Sequence, residues 1–193
     1  MFEHPNLIPL TVVVAFGIFV LKEILEAWRR WRANLRKLHA LKALLSAECE
    51  RNYWTIKWLM DKMPEIRNAL DNERIISIET TSSGKQRLQF RSKSTGGTGS
   101  SPIPKSHFST LDKYLFEVAS LDARLFGKME TTLASAAELN HLCSSLVEMV
   151  GERPPMLRSW TEYAERTLVN VEADIGALYR YCTGVALTKW RLR

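Results

Sequence analysis

The chain has 193 residues, 46% hydrophobic and 25% charged, with a formal net charge of +6. That length holds one ordinary domain and a short extra segment, and the basic balance makes nucleic acid the first partner to weigh. The placement of the charge excludes a general DNA-binding domain. Residues 22–42 carry seven basic and two acidic side chains (7 − 2 = +5) and Glu3 adds −1, which leaves only +2 for residues 43–193.

Between Glu3 and Lys22 lie 18 residues without formal charge, HPNLIPLTVVVAFGIFVL. At about 1.5 Å per helical residue such a run covers roughly 27 Å, close to the ~30 Å hydrocarbon core of a bilayer. The expected reading is a transmembrane helix within 1–21. A cleaved signal peptide needs a basic region ahead of the apolar run, and MFEH supplies none. Residues 22–42 then read as a basic juxtamembrane helix. Trp28, Arg29, Arg30, Trp31, Arg32, Arg36 and Lys37 would sit at the membrane interface, against the anionic headgroups of a lipid bilayer. The positive-inside rule places the N-terminus outside and the body in the cytoplasm, as in a single-pass protein of a bacterial inner membrane.

The helical pattern continues through Ile24, Trp28, Trp31, Leu35, Leu38, Leu45, Cys49, Asn52, Ile56, Leu59 and Met63 at three/four spacing. Pro64 biases its predecessor against the helix, so one helix is expected over about 6–63. In 74–91, Ile76 alternates with Ile78 and Leu88 with Phe90 around Ser82-Ser83-Gly84, the pattern of a β-hairpin. Residues 94–106 have the composition of a flexible linker, and hairpin and linker together fill about 74–107.

A second long helix begins at Ser109-Thr110-Leu111-Asp112, carries its stripe from Leu111 to Val150 and stops at Gly151. A third follows Pro154-Pro155 and runs from Leu157 to Val185. The fold class read from this order is mainly α. One N-terminal transmembrane helix continues into an antiparallel cytoplasmic bundle over 43–193, with three long helices and a small β-hairpin insertion. In that geometry the Arg153-Pro154-Pro155 turn returns to the membrane end. A distal basic tip would gather Lys85, Arg87, Arg91, Lys93 and Lys105 with the tail residues Lys189, Arg191 and Arg193.

No constellation assigns chemistry. Gly84-Lys85 lacks both the upstream glycine and the following Ser/Thr of a phosphate-binding loop. His141 and Cys143 lie two residues apart, on different faces of a helix. Cys49, Cys143 and Cys182 are odd in number and widely spaced, as buried thiols in a reducing compartment are. No catalytic, cofactor or metal site is read from the residues. Four polar residues on or beside the apolar stripes, Lys42, Asn52, Asp122 and Asp174, are a candidate polar core layer, with Asp174 at the level of Lys42 and Asp122 near Cys49 and Asn52.

The expected function is that of a non-enzymatic membrane-anchored scaffold, sensor or effector that works through a protein partner or self-association. The alternatives are an effector responding to nucleic acid or nucleotide through the distal basic tip, and a membrane-tethered enzyme.

Overall fold

A computed structural model describes residues 10–91, 98–151 and 154–188. The chain divides into two compact units, Met1–Ala40 and Leu41–Arg193. Its elements are α1 (Leu10–Asp71), β1 (Ile75–Thr80), β2 (Gln86–Arg91), β3 (Thr98–Pro102), α2 (Ser109–Leu121), α3 (Ala123–Gly151), a 3-10 turn (Pro154–Met156) and α4 (Leu157–Thr183).

In the second unit the apolar stripes pack against one another. Leu45, Ile56, Leu59, Met63 and Ile66 of α1 are fully buried, as are Leu125, Met129, Leu139, Leu142 and Leu146 of α3 and Leu168, Ile175 and Leu178 of α4. Cross-links give the directions. Tyr179 donates to Glu50 (3.2 Å), Lys57 pairs with Glu172 (2.7 Å), Arg67 with Glu165 and Arg158 with Asp71, so this part of α1 and α4 are antiparallel. Tyr163 donates to Glu138 (2.6 Å) and Ser135 to Asp174 (2.6 Å), so α3 and α4 are antiparallel too. Hence α3 runs in the same direction as α1.

This last relation corrects the expected three-helix path. The stretch read as one second helix is two, broken at Asp122, whose backbone is extended (φ −155°, ψ 98°). There the chain reverses, and α2 and α3 pack as a helical hairpin. The Asp122 carboxylate accepts from the N–H groups of Arg124 and Leu125 (3.0 Å each), which makes it the N-cap of α3. The Pro154–Met156 turn therefore lies at the Asp71 end of the unit, and α4 finishes at the Lys42 end, where its ring partner is Tyr181.

The structure does not support the expected membrane span. Among the described residues no helix is long and apolar enough to cross a membrane. The physical reason is charge: within the described part of α1, every 18-residue stretch that begins in the apolar segment takes in Lys22, Glu23 and Glu26, and charged side chains in a hydrocarbon core are costly. Residues 4–9, which made up the rest of the uncharged run, lie outside the described residues. The single-pass membrane protein, with its outside N-terminus and cytoplasmic body, falls with the span. Trp28, Arg29, Arg30, Trp31, Arg32, Arg36 and Lys37 flank no spanning segment among the described residues. They belong to the first unit, where Arg32 lies over the Trp28 ring (4.0 Å) and Arg30 bonds to Glu26 (3.4 Å).

Two smaller expectations also change. Pro64 sits inside α1, which continues to Asp71 because Ile66 and Ala69 beyond it are buried. The helix ends where Glu73 turns left-handed (φ 49°) and the Arg74 N–H reaches the Ala69 carbonyl (2.8 Å), a Schellman-type stop. The hairpin is a three-stranded antiparallel sheet in the order β1-β2-β3, with Ile76 opposite Phe90 and Ile78 opposite Leu88. Part of the expected linker supplies β3. Trp58 Nε1 donates to Ser101 Oγ (2.9 Å) and fastens that strand to α1, and Leu88 of β2 is fully buried.

Candidate functional site

Glu48 and Thr55, beside the apolar seam of α1, and Asn52 on it are all buried. Their spacing puts them on one face of the helix, towards the segment that joins β3 to α2. Asn52 Nδ2 donates to the His107 carbonyl (2.5 Å) and its Oδ1 accepts from the His107 N–H (2.6 Å), replacing a backbone pairing. Glu48 accepts from the N–H groups of Thr110 (2.8 Å) and Leu111 (3.3 Å), so its charge caps α2 from a neighbouring helix. The Thr55 hydroxyl donates to the Lys105 carbonyl (3.3 Å). Together they clamp residues 105–111 in one conformation.

The clamped connector forms a wall of a cleft of ≈ 990 Å³. The β1–β2 turn, Ser83 to Gln86, forms another, α3 contributes Asn140, Cys143 and Ser144, and Trp54 of α1 completes the lining. Gly84 takes the left-handed conformation that this turn requires (φ 74°), and its N–H reaches the Thr81 carbonyl (2.8 Å). Lys85, Lys105 and His107 face the cleft and no carboxylate lines it. Burial holds the His107 imidazole below the ordinary histidine range; the charge of Arg51 adds to this and Glu48 opposes it.

Of the expected distal tip, the structure brings Lys85 and Lys105 to this cleft. Arg87 instead bonds across the sheet to Ser100 (2.8 Å), and Arg91 ends β2. Lys93, Lys189, Arg191 and Arg193 lie outside the described residues.

The four expected polar core residues occupy three separate places. Asn52 holds the connector. Asp174 accepts from the Ser135 hydroxyl through Oδ2 (2.6 Å) and from Thr132 through its backbone carbonyl (3.4 Å). Asp122 and Lys42 meet at Tyr181, whose hydroxyl donates to both Asp122 oxygens (3.1 and 2.8 Å) and whose ring lies 4.7 Å from Lys42 Nζ. Burial pushes the Asp122 carboxyl up, but the Leu125 N–H, the Tyr181 hydroxyl, the Arg124 N–H and the Lys42 charge together hold it below the usual range. The partner of Lys42 at this level is thus Asp122, where the sequence pointed to Asp174.

The three cysteines are free thiols. Burial drives Cys49 far above the ordinary thiol range, Cys143 to about 12 and Cys182, nearer the surface, to about 11. A maleimide at neutral pH is expected to label Cys182 first and slowly, with Cys49 and Cys143 labelled only after denaturation. Mass mapping of the adducts checks that order, and rapid native labelling of Cys143 would contradict it. Among the described residues no group of three His, Cys, Asp or Glu side chains is placed to hold a metal ion.

Sequence reasoning missed Glu48, Thr55, Trp54, His107, Asn140 and Ser144. The buried polar stripe 48/52/55 was visible as a helical spacing, but its partners are backbone groups fifty or more residues away. Comparison with family models, curated proteins and solved structures found no match.

Proposed function

We propose that the protein is an interaction protein, not an enzyme, that self-associates by parallel pairing of residues 14–35 with the same residues of further copies. The observation that carries this reading is a heptad repeat that is buried in one part of α1 and bare in another. Counting Trp28 as position a, the a and d positions run Val14, Leu21, Ile24, Trp28, Trp31, Leu35, Leu38, Lys42, Leu45, Cys49, Asn52, Ile56, Leu59, Met63 and Ile66, with Gly17 at one d. In the second unit these positions from Leu45 onward are core. In the first unit Leu21 is 59% exposed, Trp28 46% and Trp31 59%.

Charge placement supports a second copy as the partner. Lys22, Glu23, Glu26, Arg29, Arg30, Arg36 and Lys37 fall at positions b, c and f, away from the seam, and only Arg32 sits at e. Antiparallel copies centred there would set Arg32 against Arg32, whereas parallel copies set it against Ala27 at g. Val12, Val13, Phe16, Ile18 and Phe19 are also exposed, so the helix is apolar all round before Lys22. Such a helix needs cover on several sides, which an assembly of more than two supplies.

Sedimentation velocity of the full chain tests this. Wild type is expected as an oligomer, and Trp28→Glu/Trp31→Glu as a monomer with unchanged far-ultraviolet circular dichroism. A monomeric wild type, or a double variant that still associates, refutes the proposal.

A further inference from the structure

The cleft beside the connector stands apart from the helix seam and rests on different observations. Lys85 and Lys105 arrive from two elements fixed independently, the β1–β2 turn and the clamped connector. Among the described residues neither lysine side chain has an ion-pair partner, although carboxylates are plentiful elsewhere on the surface. Two lysines on the walls of one cleft, without a carboxylate beside them, favour an anion with several oxygens.

The remaining lining is of another kind. Trp54, half-buried on α1, brings a flat indole, and Asn140 with Ser144, four residues apart on one face of α3, brings an amide and a hydroxyl. A site with cations at one part and an aromatic plane with amide hydrogen-bonding groups at another suits a ligand that is itself divided into phosphate and planar ring. The volume is at the upper end of the ~300–1,000 Å³ usual for small-molecule sites. We infer that this cleft binds a nucleotide, with Lys85 and Lys105 at its phosphates, Trp54 stacked on its base and Asn140 and Ser144 at the base edge or sugar. Lysine supplies point charge to phosphate without fixing its geometry, and stacking on tryptophan tolerates every base. Binding is therefore expected to depend more on phosphate number than on base identity, and to weaken as salt rises.

Equilibrium dialysis of the full chain against AMP, ATP, GTP, inorganic phosphate and a short single-stranded RNA tests the inference. The expected result is saturable binding of the nucleotides, tightest for the triphosphates. Affinity should fall about tenfold or more in Lys85→Ala/Lys105→Ala, a change of at least one decade in Kd. Both lysines are exposed, so the double variant should keep its fold, and Lys113→Ala on the exposed face of α2 serves as control. Trp54→Leu is expected to reduce nucleotide binding while leaving the weak binding of inorganic phosphate unchanged. No saturable nucleotide binding at millimolar concentration overturns the inference. So does equal affinity for inorganic phosphate and ATP, a preference for the RNA over mononucleotides, or a double variant that binds like wild type. Monomeric Trp28→Glu/Trp31→Glu should still bind, which separates this result from that of the association experiment.

Discussion

Asn52→Ala is expected to lower the stability of the second unit by about 2–4 kcal/mol. The side chain is 1% exposed and makes two hydrogen bonds to the His107 backbone. Alanine leaves both the N–H and the carbonyl of His107 without partners, and each unsatisfied buried group costs roughly 1–3 kcal/mol. Asn52→Leu should do no better, because it fills the space without satisfying either group. Asn52→Asp keeps the acceptor but aims a charge at the carbonyl. Urea denaturation of the three variants measures the loss, and hydrogen exchange at 105–111 locates it. A change below about 0.5 kcal/mol in Asn52→Ala, the range of an ordinary surface substitution, would show that the connector is held by something else.

Asp122→Ala is expected to cost about 2–3 kcal/mol and to remove a component of the acid sensitivity. Truncating an N-cap typically costs 0.5–2 kcal/mol, and the bond from the Tyr181 hydroxyl to a charged acceptor adds about 1.5 kcal/mol or more. The Asp122 carboxyl lies below its ordinary value in the folded protein. Its contribution is therefore fully present above the unfolded-state pKa of about 4, and is lost as pH falls through the lower folded value. Wild type should lose stability across that acid window faster than Asp122→Asn, which keeps an acceptor for the cap but cannot titrate. Parallel pH–stability curves for the two proteins would refute this reading of Asp122.

Much of the second unit was legible in the residues. The stripes Leu45–Met63, Leu111–Val150 and Leu157–Leu178 mark the buried faces because a helix repeats every 3.6 residues and burial follows that period. The alternation of Ile76, Ile78, Leu88 and Phe90 marked paired strands for the corresponding reason. Asp122 shows where pattern reading stops. Its apolar neighbours keep helical spacing across the break, so periodicity sees one helix, while a capping aspartate reverses the chain. The signal for the break was Asp122 before Ala123, an N-cap ahead of a good helix former. At the N-terminus the apolar run was legible, but in the described part of α1 every 18-residue stretch beginning there takes in Lys22, Glu23 and Glu26, and no helix among the described residues is apolar enough over that length to cross a membrane.

Of the candidate site, Lys85 and Lys105 stood out in the sequence as basic residues of one region. Nothing in their spacing tied them to Trp54, Asn140 and Ser144. What the sequence by itself determined is local: helix and strand periods, the glycine turn at Gly84, the buried thiols and the concentration of positive charge in 22–42. Only the tertiary structure decided which of these surfaces meet. Local patterns depend on neighbours within a few residues, whereas the direction of α3, the third strand and the clamped connector depend on contacts spanning more than forty residues. Those contacts are made by single polar groups, Asp122, Ser101 and Asn52. A hydrogen-bonding side chain carries no periodic signature of the partner that it will find.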